Sequence, residues 1–286
     1  MTAPSPSESY LLDFHGRLAG VTARWFADAP VQREGEAFAS TYSLLEAVVP
    51  RDARPRVVLD LACGDGHLLE LLATRGQQGL SLLGLDMSGH ELAAAQARLK
   101  GAATLHQGRA QALPFADASV DVVLSHLALM LMDDVETVLA EIRRVLKPGG
   151  TVSVVVGGDM VRGDAVELFA GLLRPRIMSE AQPWLPLGAP RVRSVEGLKV
   201  LFREGFADVA VQDLVVQGDG EPRSVWDSLR TTYDADRLSP AAQASLEAAF
   251  LQAVEPLRRS DGTVSCRWGM RQLTATSLGL VRQHAS

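Results

Sequence analysis

Two carboxylates and a glycine turn carry the first chemical signal in this chain of 286 residues. The stretch Val57 to Leu72 reads VVLDLACGDGHLLELL, an apolar strand ending in Asp60, the turn Ala62-Cys63-Gly64-Asp65-Gly66, then a helical run. A second acid, Asp86, closes the next strand-like run, LSLLGLDMS. Gly64 and Gly66 lack a Cβ and tolerate positive φ, so main-chain atoms can approach a ligand closely there. The amides beyond the turn point outward from a helix N-terminus. An acid at the end of the following strand accepts both hydroxyls of a ribose. This is the chemistry of a nucleoside site. A dinucleotide site needs G-x-G-x-x-G, but Leu69 stands at the third glycine position and Ala62 where an earlier glycine would be. Asp60 would repel a pyrophosphate and attract a protonated amine, directly or through water. The pattern therefore favours a nucleoside bearing an amino acid.

The elements that must position these groups follow from periodicity. Tyr10–Phe26 carries Leu11, Phe14, Leu18 and Val21 at helical spacing, and a second helix is expected over 36–49, before Pro50. Strands are then expected at 56–61, 81–86, 104–107, 120–125 and 151–156. Helices are expected at 66–74, 89–99 and 135–146, with a turn at Lys147–Gly150. Short Val- and Leu-rich strands separated by helices indicate a parallel sheet covered on both faces. Right-handed connections then place the ligand outside the carboxyl ends of the strands. Further helices are expected at 164–173, 194–204, 222–233 and 240–258, and strands at 208–216 and 263–274. The expected fold class is α/β: a Rossmann-like, doubly wound, mostly parallel seven-stranded sheet with helical cap elements.

Composition narrows the partners. The chain is 47% apolar and 22% charged, with net charge −6, which argues against a nucleic-acid backbone as partner. No apolar run approaches the ~20 residues of a membrane span, and the N-terminus lacks the features of a signal peptide. Cys63 and Cys266 match no metal-ligand spacing. The expectation is a reduced, metal-free, cytoplasmic protein, a monomer or homodimer with neither nucleic acid nor membrane as partner.

From Arg56 to about Gly157 the sequence resembles the class I S-adenosylmethionine-dependent methyltransferases. The residues that carry the resemblance are the Asp60–Gly66 turn, Asp86 followed by Met87, Gly108 to Phe115 with its Leu-Pro-Phe ending, Val120-Asp-Val-Val-Leu-Ser-His126, and Leu146-Lys-Pro-Gly-Gly150. The resemblance implies S-adenosylmethionine as cofactor. It places Asp60, Ala62, Cys63, Gly64, Gly66, Asp86, Met87, Arg109, Ala110, Gln111, Ser125 and His126 around it, with Met87 packed on adenine. The family usually has an Asp where this chain has Arg109, and that Asp accepts the adenine N6 amine. Arg offers no acceptor, so that contact comes from backbone, from Gln111, or not at all; Arg109 stacked on the ring is a further alternative.

Methyl transfer is an in-line displacement at a sulfonium carbon, helped mainly by positioning and exclusion of water. A base is needed only if the acceptor must lose a proton. The candidates for direct action on the acceptor are His126, ending the fourth strand of the alternation, and His15, in the N-terminal segment. The plainer alternatives are backbone packing of His126 and a solvated helix face for His15. Tyr10, Phe14, Met130, Trp184, Trp226 and Tyr233 are candidates for the acceptor pocket, with core packing as the alternative for the aromatics. Met132 is a further candidate, Asp133 or Asp134 is expected to cap a helix, and Cys63 is expected to be structural. Residues 1–50 are expected to form a helical lid on a core of 51–286, with cap insertions at about 158–193 and 218–262. The core most resembles the bacterial group that includes ubiquinone/menaquinone-biosynthesis and natural-product methyltransferases. The expected reaction is methylation of carbon, oxygen or nitrogen on a small molecule of bacterial specialised metabolism. Two other classes share parts of the pattern. One is a non-catalytic S-adenosylmethionine-binding or regulatory protein, raised by Arg109. The other is an NAD-dependent oxidoreductase, which fails at Leu69 and at the Leu-Lys-Pro-Gly-Gly turn.

Overall fold

The computed structural model describes residues 3–180 and 185–279; Trp184 lies outside them. The first elements are α1 (Pro6–Arg17), α2 (Val21–Phe26), the hairpin β1 (Val31–Arg33) and β2 (Glu36–Phe38), and α3 (Thr41–Glu46). The alternating core follows: β3 (Arg56–Leu61), α4 (His67–Thr74), β4 (Leu80–Asp86), α5 (Gly89–Leu99), β5 (Thr104–Gln107), β6 (Val120–His126), α6 (Val135–Val145) and β7 (Leu146–Gly157). The remainder is α7 (Ala165–Ser179), α8 (Val195–Leu201), β8 (Phe206–Gln217), α9 (Pro222–Leu229), α10 (Tyr233–Asp236), α11 (Pro240–Ala253) and β9 (Arg267–Ser277). No described helix is long and apolar enough to cross a membrane.

The described strands form one sheet in the order β2-β1-β8-β9-β7-β6-β3-β4-β5. Strands β7, β6, β3, β4 and β5 run parallel, and β9, β8, β1 and β2 continue the sheet antiparallel. The expected seven strands are all present, and β1 and β2 are additions. They arise where a helix over 36–49 was expected. Glu34 and Gly35 both have positive φ, the geometry of a two-residue hairpin turn. The helix starts only at Thr41, where the Ser40 side chain accepts from the Ser43 amide. The segment Tyr10–Phe26 is two helices, broken before Gly20 (φ +72°). The first begins earlier than expected, at a reciprocal cap in which Ser5 and Glu8 each accept the other's backbone amide. The segment 222–233 is likewise divided between α9 and the start of α10. The Lys147–Gly150 turn is an irregularity inside β7, whose pairing jumps from Val120↔Leu146 to Val122↔Thr151.

The parallel strands are apolar on both faces because both are covered. Helix α6 presents Val135, Val138, Leu139, Ile142 and Val145 at helical spacing to one face, where α8 adds Leu198 and Phe202. On the other face Leu44 and Leu45 of α3 pack with Leu68, Leu69 and Leu72 of α4 and Ala95 and Leu99 of α5. The position Leu69 thus fills a fully buried site that a pyrophosphate-binding turn would leave to glycine. A separate cluster knits α7, α9 and α11 together.

Trp226 belongs to that cluster. It is 2% exposed, with ring centroids 5.8 Å from Phe250 and 6.2 Å from Phe169. Its expected place in the acceptor pocket is thereby corrected: at helical spacing with Val225 and Leu229 it faces the inside of the cap. Removing so large a buried ring leaves a cavity, so Trp226→Ala should cost about 3–5 kcal/mol of unfolding free energy. Urea denaturation checks this; a loss below about 1 kcal/mol would contradict the core assignment.

Candidate active site

The order of strands reverses around β3, with β4 and β5 to one side and β6 and β7 to the other. Crevices at such points lie beyond the carboxyl ends of the strands. The strand-end residues there are Asp60 and Leu61 on β3, Asp86 on β4, Gln107 on β5 and His126 on β6. A cavity partly open to solvent occupies this edge.

Its floor is the glycine turn. Ala62 (φ +59°), Gly64 (φ +52°) and Gly66 (φ +79°) all take left-handed backbone, which in Ala62 is a strained geometry held by its surroundings. The Cys63 amide donates to the Leu85 carbonyl at 3.0 Å, tying the turn to β4. The Gly64 amide donates to Asp86 Oδ2 at 2.9 Å and the Ser88 amide to Asp86 Oδ1 at 2.8 Å. Each Asp86 oxygen keeps a second acceptor position for a ligand hydroxyl. Gly66 serves packing: a Cβ there would stand 3.0 Å from Leu99 Cδ1 and 3.1 Å from Ala95 Cβ.

The electrostatics are one-sided. Asp65 is neutralised by Arg98 at 2.5 Å. Burial, then the neighbouring carboxylates of Asp86 and Asp65, push Asp60 up to about 8. Burial also raises Asp86, against the two amides that favour its charge. Two buried acids beside a glycine turn suit a ligand with ribose hydroxyls and a cationic amino-acid end, which is the chemistry of S-adenosylmethionine. Burial raises the Cys63 thiol as well, so it stays protonated and structural.

Helix α1 roofs the cavity with Glu8, Leu11 and His15, spaced three and four apart on one face. At one end Glu8 accepts from Arg109 at 2.5 Å. At the other, His15 Nδ1 stands 2.7 Å from Glu91 Oε1 and His15 Nε2 3.2 Å from the Tyr233 hydroxyl. Both oxygens of Glu91 also accept from the Gly20 amide, at 3.2 and 3.0 Å. Arg17 bonds both oxygens of Asp236 on α10, at 2.9 and 2.8 Å.

The third side is His126. It is buried, with Nε2 2.7 Å from Thr41 Oγ1 and the ring stacked on Tyr42 at 3.8 Å between centroids. Nδ1 has no partner among the described residues. Burial, with His67 nearby, holds its pKa down to about 3, so the ring is neutral. Thr22, Ala23, Tyr42, Leu127, Leu131 and Met132 also line the cavity and give it apolar surface.

Of the expected cofactor residues, Asp60, Ala62, Cys63, Gly64, Asp86, Met87, Arg109, Ala110, Gln111 and His126 line the cavity. Gly66 and Ser125 do not: Gly66 sits under α5, and the Ser125 hydroxyl donates to the Leu61 carbonyl at 2.8 Å. Arg109 pairs with Glu8 at the cavity wall. Among the expected acceptor residues Tyr233 and Met132 line the cavity. Phe14 packs 4.7 Å from the Tyr233 ring and Tyr10 donates to the Tyr233 carbonyl, so both support the roof from behind. Met130 turns its sulfur to the Gly157 amide instead. Of the two acids before α6, Asp134 takes the N-cap position and accepts from the Thr137 hydroxyl at 2.6 Å, whereas one Asp133 oxygen accepts from the Ser5 and Ser7 hydroxyls at 2.5 and 2.6 Å. Sequence reading missed Glu8 and Glu91. The Ser5-x-x-Glu8 spacing was a legible cap signal, whereas the reach of Glu91 to Gly20 depends on tertiary packing.

An acid whose folded pKa lies above its unfolded value binds more protons in the folded state between the two, so stability falls as pH rises through that window. For Asp60 the window runs from 3.8 to about 8. Asp60→Asn should therefore raise the melting temperature of the ligand-free protein at pH 8 and leave it nearly unchanged at pH 4. Equal effects at both pH values, read by thermal unfolding, would contradict the buried-acid assignment.

Residues 59–154 match the family model described as "Methyltransferase domain". The chain is 37% identical over 171 residues to a demethylmenaquinone methyltransferase of Lactococcus lactis, covering 54% of this chain and 67% of that protein. It is 28% identical to the O-methyltransferase rstn1 of Aspergillus nomiae, covering 69% and 85% of the two. In fold it resembles the [4+2]-cyclase SpnF, with TM-score 0.56 and 20% identity over 98% of this chain and 99% of that one. The buried acids around the glycine turn and these similarities converge on one family: the chain is a member of the class I S-adenosylmethionine-dependent methyltransferases.

Proposed function

We propose that this enzyme methylates a neutral, largely apolar small molecule bearing one hydrogen-bonding nucleophile. The observation that carries the reading is the lining of the cavity, in which the carboxylates Asp60, Asp86 and Glu91 share the wall with Tyr42, His126, Leu127, Leu131 and Met132. A cluster of acids disfavours an anionic acceptor. The relatives named demethylmenaquinone methyltransferase and O-methyltransferase are consistent with an acceptor of this kind.

S-Adenosylmethionine supplies an electrophilic methyl group on a sulfonium when bound. Asp86 would hold the ribose hydroxyls, Asp60 the amino group, directly or through water, and Met87 would pack on the base. Helix α1 and Tyr233 exclude water from the nucleoside end. His126, neutral and fixed through Thr41 and Tyr42, presents Nδ1 as a group that orients the acceptor. A ring that releases its proton already above pH ~3 is a weak base at neutral pH. His15, between Glu91 and Tyr233, acts by holding the roof closed. In this reading 1–50 is a lid that also lends two strands to the sheet. Residues 51–286 are the core, and the insertions at about 158–193 and 218–262 complete the cap. We place the enzyme in the cytoplasm as a monomer or homodimer, with both cysteines reduced and buried.

His126→Gln should lower kcat about tenfold or more while S-adenosylhomocysteine affinity stays within about twofold. The wild-type kcat should show no acid limb near pH 6.5. Such a limb, abolished by the substitution, would make His126 a general base instead. His126 also has a folded pKa below its unfolded 6.5, so its burial costs stability as pH falls from 6.5 towards 3. Acid unfolding of His126→Gln should accordingly begin at lower pH than that of the wild type.

A further inference from the structure

We infer that Glu8, on the lid helix, is the group that recognises the adenine amine, so that the lid itself reads the base. The inference rests on the methyltransferase reading of the cavity and assigns a specificity-determining residue within it. Asp86 fixes the ribose end through two backbone amides, at 2.9 and 2.8 Å. The base then lies towards the loop that follows β5, where Gly108, Arg109, Ala110 and Gln111 line the cavity. An exocyclic amine donates hydrogen bonds and needs an acceptor. Arg109 has none, and the Gln111 amide donates to the Asp133 carbonyl at 2.7 Å.

Two carboxylates line the cavity against this loop, Glu8 and Asp133. Asp133 Oδ2 is occupied by two serine hydroxyls, at 2.5 and 2.6 Å. Glu8 accepts from Arg109 on one oxygen and from the Ser5 amide, at 2.9 Å, on the other. Each of its oxygens retains acceptor capacity, and the side chain is 8% exposed. The ion pair with Arg109 and the Ser5 amide fix the carboxylate in place inside the cavity. Arg109 thus acts as a positioning residue that aims an acid delivered by α1. The core contributes the cation and the lid contributes the acceptor. Cofactor recognition and lid closure become one event, because an open α1 carries the acceptor away with it.

Calorimetric titration with S-adenosylhomocysteine and S-inosylhomocysteine separates the outcomes. The second ligand presents a carbonyl oxygen in place of the amine. The wild type should prefer the adenosyl ligand roughly 10- to 100-fold, the range of a hydrogen bond to a charged group. In Glu8→Ala combined with Arg109→Ala, which removes the acceptor without stranding a buried cation, that preference should fall to within about threefold. Ser7→Ala loosens the same helix from Asp133 without touching Glu8; it should weaken both ligands equally and keep the preference. Thermal unfolding of each variant confirms the fold. A preference retained in the double variant, or lost equally in Ser7→Ala, overturns the role of Glu8. A wild-type chain that binds neither ligand overturns the methyltransferase reading and this inference with it.

Discussion

Everything around the cavity depends on holding two carboxylates out of water at the carboxyl edge of a parallel sheet. A buried acid with no cation beside it is costly and tends to take up a proton instead. The sheet tolerates the cost because β3 and β4 are anchored on both sides by parallel neighbours and covered on both faces. The turn contributes the remaining constraint: Gly64 sends its amide into Asp86 rather than into a helix. Stability is thereby traded for acids that can take up charge when a cationic ligand arrives.

The lid follows from the same constraint. Carboxylates attract a ligand only weakly while water screens them, and covering the site strengthens their field. Helix α1 covers the nucleoside end with one apolar residue, Leu11, between two polar pins, Glu8 and His15. Its pins reach different elements, Arg109 after β5 and Glu91 on α5, so the helix bridges the loop and the helix that bracket the nucleoside. The hairpin of β1 and β2 joins the sheet beyond β8 and anchors the chain just after the lid.

Legibility in the sequence divides along the same line. The alternating half from Arg56 to Gly157 was readable because each strand is a short apolar run closed by an acid, glycine or histidine, and each helix has its own apolar face. The ends of β3, β4 and β6 fell where expected, and with them Asp60, Asp86 and His126. The cover was less readable. Trp226 resembled a pocket aromatic, but helical spacing cannot distinguish a residue facing a ligand from one facing a helix neighbour. The strands at Val31–Arg33 and Glu36–Phe38 are only three residues long, too short to show alternation. The substitution of Arg109 for an acid was visible as an anomaly, whereas its partner Glu8 lies 101 positions away and only the folded chain brings them together.

Proton release on ligand binding tests the central claim most directly. With Asp60 held near pH 8 by burial and its acidic neighbours, the empty site is largely protonated at pH 7. A ligand ammonium drawn against it should restore the carboxylate and expel a proton. Calorimetric titration of S-adenosylhomocysteine at pH 7, in buffers of low and high ionisation enthalpy, measures that stoichiometry. The account expects close to one proton released by the wild type and almost none by Asp60→Asn. Binding by the wild type with no proton exchanged would contradict it.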